Sequence, residues 1–184
     1  MSAAVTRPLR TATSVMTNAA ALLIVAVSVE VTTALLVVVT GESAAARGAL
    51  GFGFAGVDRS LAEASSIGLH NAKFAGATLL CGAVAPRLAV AIRVPIDLLL
   101  ALLLVVNAAA VGVAFGAYGW RAIAATAPHL PLEFGGLSLA GGAYLHARTH
   151  PLSPRAIAAV ASGCAVLLAA AAVLETYVSL GGTQ

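Results

Sequence analysis

Between Ala19 and Val39 the chain carries a single charged residue, Glu30, in a run otherwise made only of Ala, Leu, Ile, Val, Ser and Thr. About 20 apolar residues in a helix cover the hydrocarbon core of a bilayer, and water offers such a run no comparable home. Similar runs follow at about 68–91, 95–118, 131–147 and 156–178. With the first, at about 19–40, they predict an all-α, integral membrane bundle of about five transmembrane helices, a single domain over residues 1–184 with the lipid bilayer as its surroundings. Composition excludes the alternative of a large soluble domain: 60% of the residues are hydrophobic, 9% are charged, and the mean hydropathy is +1.00.

The connection 41–66 is the one long extramembrane stretch. It holds Gly41, Glu42, Arg47, the glycine-rich GFGFAG, Asp58, Arg59 and Glu63, with room for a short interfacial helix. An alanine triplet at 44–46 resembles a signal-peptidase site. The apolar run before it is longer than a signal peptide's and contains Glu30, so a retained anchor is expected. The net charge of +3 comes from basic residues scattered along the chain, which gives no footprint for nucleic acid. Five crossings put Arg7, Arg10, Arg87, Arg93, Arg148 and Arg155 on the side of the N-terminus and Arg47, Arg59, Lys73 and Arg121 on the other, which favours a cytoplasmic N-terminus. Cys81 and Cys164 lie within apolar runs and read as packing residues.

Ionisable groups are costly inside a bilayer, so the few present mark where function is to be sought. Glu30 falls in the middle of the first run, Asn107 in the third, Glu133 in the first turn of the fourth and Glu175 near the end of the fifth. In PHLPLEFGG, His129 and Glu133 are four residues apart and share a face if the helix already includes His129. The plain reading makes Glu133 an acid at the positive end of a helix dipole; the sharper one sets the pair in a polar cavity with partners from other helices. Neither the four-residue spacing nor any HEXXH motif supports a metal, so no metal and no cofactor are expected. Gly112 and Gly116 stand at the small-xxx-small spacing that lets helices approach closely.

Taken in order, these residues resemble the stage II sporulation protein M family, bacterial membrane proteins with five helices. The resemblance rests on Pro128, His129 and Glu133 followed by Ala140, Gly141 and Gly142; on Asn107 with Gly112 and Gly116; on Asn71 near the start of the second helix; and on Ala171, Ala172, Glu175 and Tyr177. It covers roughly residues 70–178. It implies a bacterial cytoplasmic membrane, a mainly non-catalytic part in a multi-protein complex with one or more partner membrane proteins, and in some settings the export, immunity or maturation of a hydrophobic peptide. It adds Asn71 to the intramembrane polar set of Glu30, Asn107, His129, Glu133 and Glu175, and Gly141 and Gly142 to the packing glycines.

Two functions therefore stand side by side. In one the chain is a scaffold whose polar residues fix helix register. In the other it is an enzyme subunit in which His129 and Glu133 act as acid and base, for epimerisation or dehydration of a hydrophobic peptide with a membrane partner. A transporter ranks below both, because so small a chain would have to oligomerise.

Overall fold

The computed structural model describes residues 3–51 and 58–178, with side chains from Arg10 onward, so the Arg7 side chain and most of the GFGFAG stretch lie outside what is described. Every regular element among them is helical: α1 (Ala3–Val39), α2 (Ser43–Leu50), α3 (Leu61–Val84), a 3-10 turn (Ala85–Arg87), α4 (Val90–Tyr118), α5 (Trp120–Thr126), α6 (Leu130–Ala147) and α7 (Pro154–Tyr177). Three of these, α1 from Arg10 onward, α4 and α7, are long and apolar enough to cross a membrane. The expected count of five is thus reached by length and hydropathy for three.

Local chemistry sets the helix ends. Ser60 caps α3 by accepting from the Glu63 amide at 3.1 Å, and Ser153 caps α7 by accepting from the Ala156 amide at 3.2 Å, just ahead of Pro154. The second helix differs from the expected 68–91. It starts at the Ser60 cap and stops at Val84, because Pro86 has no amide hydrogen to continue the ladder. The next helix begins at Val90 and takes Pro95 inside it, where the ring costs one backbone hydrogen bond near the helix start. Gly119, at φ +58°, makes the corner between α4 and α5 in a conformation that side chains with a Cβ avoid. The first helix runs well ahead of the apolar run that announces it, because Val15 and Ala19 are buried against α6.

At the centre lies α6, in contact with α1, α3 and α7. Its buried residues, among them Phe134, Ser138, Ala140, Ala143 and Ala147, point in every direction around the axis. Protein rather than lipid surrounds this helix, which explains how it tolerates Glu133, Tyr144 and His146. Close approach is built from glycines. A Cβ on Gly142 would lie 2.7 Å from the Ala19 nitrogen of α1, and one on Gly116 would lie 2.7 Å from the Ala34 carbonyl oxygen. Gly112 faces the Glu30 backbone on the same α1–α4 seam, and Gly141 meets only the flexible tip of Leu22. Both thiols are free, and Cys164 packs with Ala75, Ala140 and Leu168 between α3, α6 and α7 while donating to the Gly136 carbonyl.

Contact pairs give each helix a direction. Gly112 meets Glu30 and Gly116 meets Ala34 and Val37, so α1 and α4 are parallel. His146 bonds Ser14 while Gly141 meets Leu22, so α6 runs against α1. Gly163 meets Leu139 and Cys164 bonds Gly136, so α7 runs against α6. Gly82 touches Tyr144 and Ala147 where Gly68 touches Ala172, so α3 runs with α6. The outer faces of α1, α4 and α7 expose Ile24, Val31, Leu35, Leu98, Leu102, Val106, Val166 and Val173. Such surfaces suit acyl chains, as a membrane protein's do.

Candidate functional site

The start of α6 is a turn shaped by its own backbone. His129 occupies the N-cap position, and its carbonyl accepts from the Leu132 and Glu133 amides at 3.0 and 3.1 Å. That closes the first turn and sends the His129 and Glu133 side chains to one side, as four-residue spacing requires. Pro131 stands in this turn, where a missing amide hydrogen is harmless.

The end of α7 passes the same place. One ligand atom each from His129, Glu133 and Glu175 lie within 4.8 Å of one another. His129 is buried, 7% exposed, and the two carboxylates are partly buried. From the other side α3 contributes the Asn71 amide, which donates a hydrogen bond to Glu133, and Glu63, which with Glu133 faces Glu175 electrostatically.

A cavity of about 350 Å³ opens between α3, α6 and α7, lined by Ser66, Ile67, His70, Asn71, Glu133 and Glu175. Glu63, Ser66, Ile67, His70 and Asn71 succeed one another at helical spacing, so α3 presents one face to the site. Ser66, Ile67 and His70 carry no signature of their own in the sequence. The spacing behind the Ser60–Glu63 cap is the signal that could have drawn them in.

Two of the six expected polar residues stand elsewhere. Asn107 is exposed on α4, and its side-chain amide donates at 2.8 Å to the Leu103 carbonyl of its own helix. It crosses no helix interface. Glu30 is buried, 5% exposed, on α1 at the seam with α4, and its Oε1 atom has no hydrogen-bond partner. It does not line the cavity. The residues brought together are Asn71, His129, Glu133 and Glu175.

Chemically, the arrangement offers an imidazole and two carboxylates at the mouth of a small polar cavity. It can exchange protons with a bound group or hold a cation. Compared with known proteins, the chain matches no family model, no curated protein and no solved structure.

Proposed function

We propose that the chain is a multi-pass membrane component of the stage II sporulation protein M type, working mainly by assembling with partner membrane proteins in a bacterial cytoplasmic membrane. The observation that carries this reading is convergence. Asn71, His129, Glu133 and Glu175, which lie in separate parts of the resemblance, line or border one pocket, while Gly112, Gly116 and Gly142 stand at the tightest helix contacts. A chance likeness of composition has no reason to meet in space.

Helix direction supports a reading with five crossings. The three strongly apolar helices, α1, α4 and α7, all run the same way through the bundle. A chain that crosses a membrane repeatedly in one direction must return between crossings, and α3 and α6 are the helices that carry it back. Both pack against α7 and against each other, so protein offsets their lower hydropathy. With the N-terminus cytoplasmic, Arg10, Arg87, Arg93, Arg148 and Arg155 gather on the cytoplasmic side. The polar pocket then opens towards the opposite face. Single cysteines at Ser153 and at Thr126, probed with an impermeant maleimide in intact cells, test this: only position 126 is expected to react, and equal labelling of both overturns the five-crossing topology.

The assembly reading is tested by purifying the tagged chain from its native membranes in mild detergent, alongside the His129→Ala and Glu133→Gln variants. A membrane partner at fixed stoichiometry is expected, its retention following the accumulation of each variant. Variants that accumulate and keep the partner but lose the biological output overturn it. That result would favour the second reading, acid–base chemistry on a hydrophobic peptide. The observation favouring this second reading is the approach of His129, Glu133 and Glu175 around a cavity large enough for one side chain.

A further inference from the structure

We infer that His129, Glu133 and Glu175 form a binding site for a divalent transition-metal ion of the Zn²⁺ class, held between the start of α6 and the end of α7 with one coordination position open to the cavity. The inference goes beyond the assembly reading and stands without it.

Three observations bear on it. First, the donor set mixes one imidazole with two carboxylates, the combination that borderline metal ions take, and it supplies three protein ligands as sites with an open position do. Second, the spacing is short of a bound geometry by a distance that side-chain rotation can close. The three atoms lie within 4.8 Å of one another, whereas ligands about 2.1 Å from a tetrahedral zinc stand about 3.4 Å apart. Third, the groups come from separate helices and meet at one place. Glu133 and Glu175 stand beside the buried imidazole of His129, and Glu63 of α3 faces Glu175 from a further helix.

The surroundings suit an ion rather than a packed core. Asn71 donates to Glu133 and so orients one ligand, as groups behind metal ligands commonly do. The cavity of about 350 Å³ lies on the carboxylate side, leaving space for a water or a substrate oxygen on the metal. His129 is buried and stands four residues before Glu133, so both ligands move as one rigid turn. Glu175 closes the site from a helix that runs antiparallel to α6, so the ion would tie the two helices at their outer ends.

The test uses the full chain in detergent micelles, stripped with EDTA and titrated with zinc chloride, with bound metal measured by mass spectrometry after desalting. One equivalent per chain is expected. Glu175→Gln and Glu133→Gln should each weaken binding about tenfold or more, Asn71→Ala by about tenfold, and Asp97→Asn not at all. Cobalt(II) added to the stripped wild type should give visible absorption bands of a four-coordinate nitrogen and oxygen site. That readout survives even if a variant does not accumulate. Absence of the cobalt bands, binding unaffected by Glu175→Gln, or no zinc retained overturns the site and indicates a shared proton instead. Metal content is read on the isolated chain, so its failure leaves the partner experiment intact, and failure to find a partner leaves the metal result intact.

Discussion

The two ends of the helix bundle handle charge in opposite ways. At the end where α1 begins, Asp97 of α4 accepts a hydrogen bond from the Tyr144 hydroxyl and pairs with Arg148 at 2.9 Å, while His146 and Ser14 share a hydrogen bond of 3.0 Å. At the other end, Glu133 and Glu175 stand beside His129 and look into a cavity. An acid settled by a cation within the protein ties α4 to α6 and asks for nothing further. At the pocket the acids of two helices instead share one place with His129 and Asn71. The difference separates a clasp from a site.

The comparison can be broken or sharpened by substitution. The largest effect is expected from Gly142→Leu, beside the clasped end, because its side chain would collide with the Ala19 backbone of α1. Destabilisation of about 3 kcal/mol should appear as a loss of folded protein from the membrane. Normal accumulation would mean that α1 and α6 are not so closely packed. Next comes Asp97→Ala, which leaves Arg148 and Tyr144 without their acceptor. Because the Arg148 side chain is 38% exposed, water takes over part of the loss. A cost of about 1–2 kcal/mol is expected, read as a lower unfolding temperature in detergent.

At the open end the sign should reverse. Glu175→Gln removes one of two facing acids and, in metal-free protein, is expected to change stability by less than about 1 kcal/mol, neutral or upward. A fall as large as that of Asp97→Ala would make Glu175 a structural partner and erase the contrast. Smallest of all should be Asn107→Leu. The amide is exposed and bonded to its own helix, so a change within about 0.6 kcal/mol is expected by thermal unfolding. A larger loss would show that Asn107 meets a partner in the membrane.

Much of the helical architecture was legible from apolar runs, because lipid imposes the same demand on every residue of a crossing. The strongest readings were α1, α4 and α7, whose outer faces are predominantly apolar. The second and fourth runs were blurred for a physical reason. Protein covers α6 on several sides, so it carries Glu133, Tyr144 and His146 without a uniform apolar surface, and α3 shows one polar face to the site. The candidate site was half legible. His129 and Glu133 announce themselves by spacing, since a helix alone decides that they share a face. Glu175 and Asn71 join them only through packing, and Asn107 stays out because α4 turns it away from its neighbours.

What the sequence by itself determined is therefore what depends on local period and solvent: an all-helical chain, apolar runs of membrane length, and a His–Glu pair on one turn. Only the tertiary structure decided which of the scarce polar groups share a place. Residues more than a hundred positions apart, such as Asn71 and Glu175, are neighbours because glycine-lined contacts bring whole helices into register, and no local pattern encodes the rotation of one helix against another.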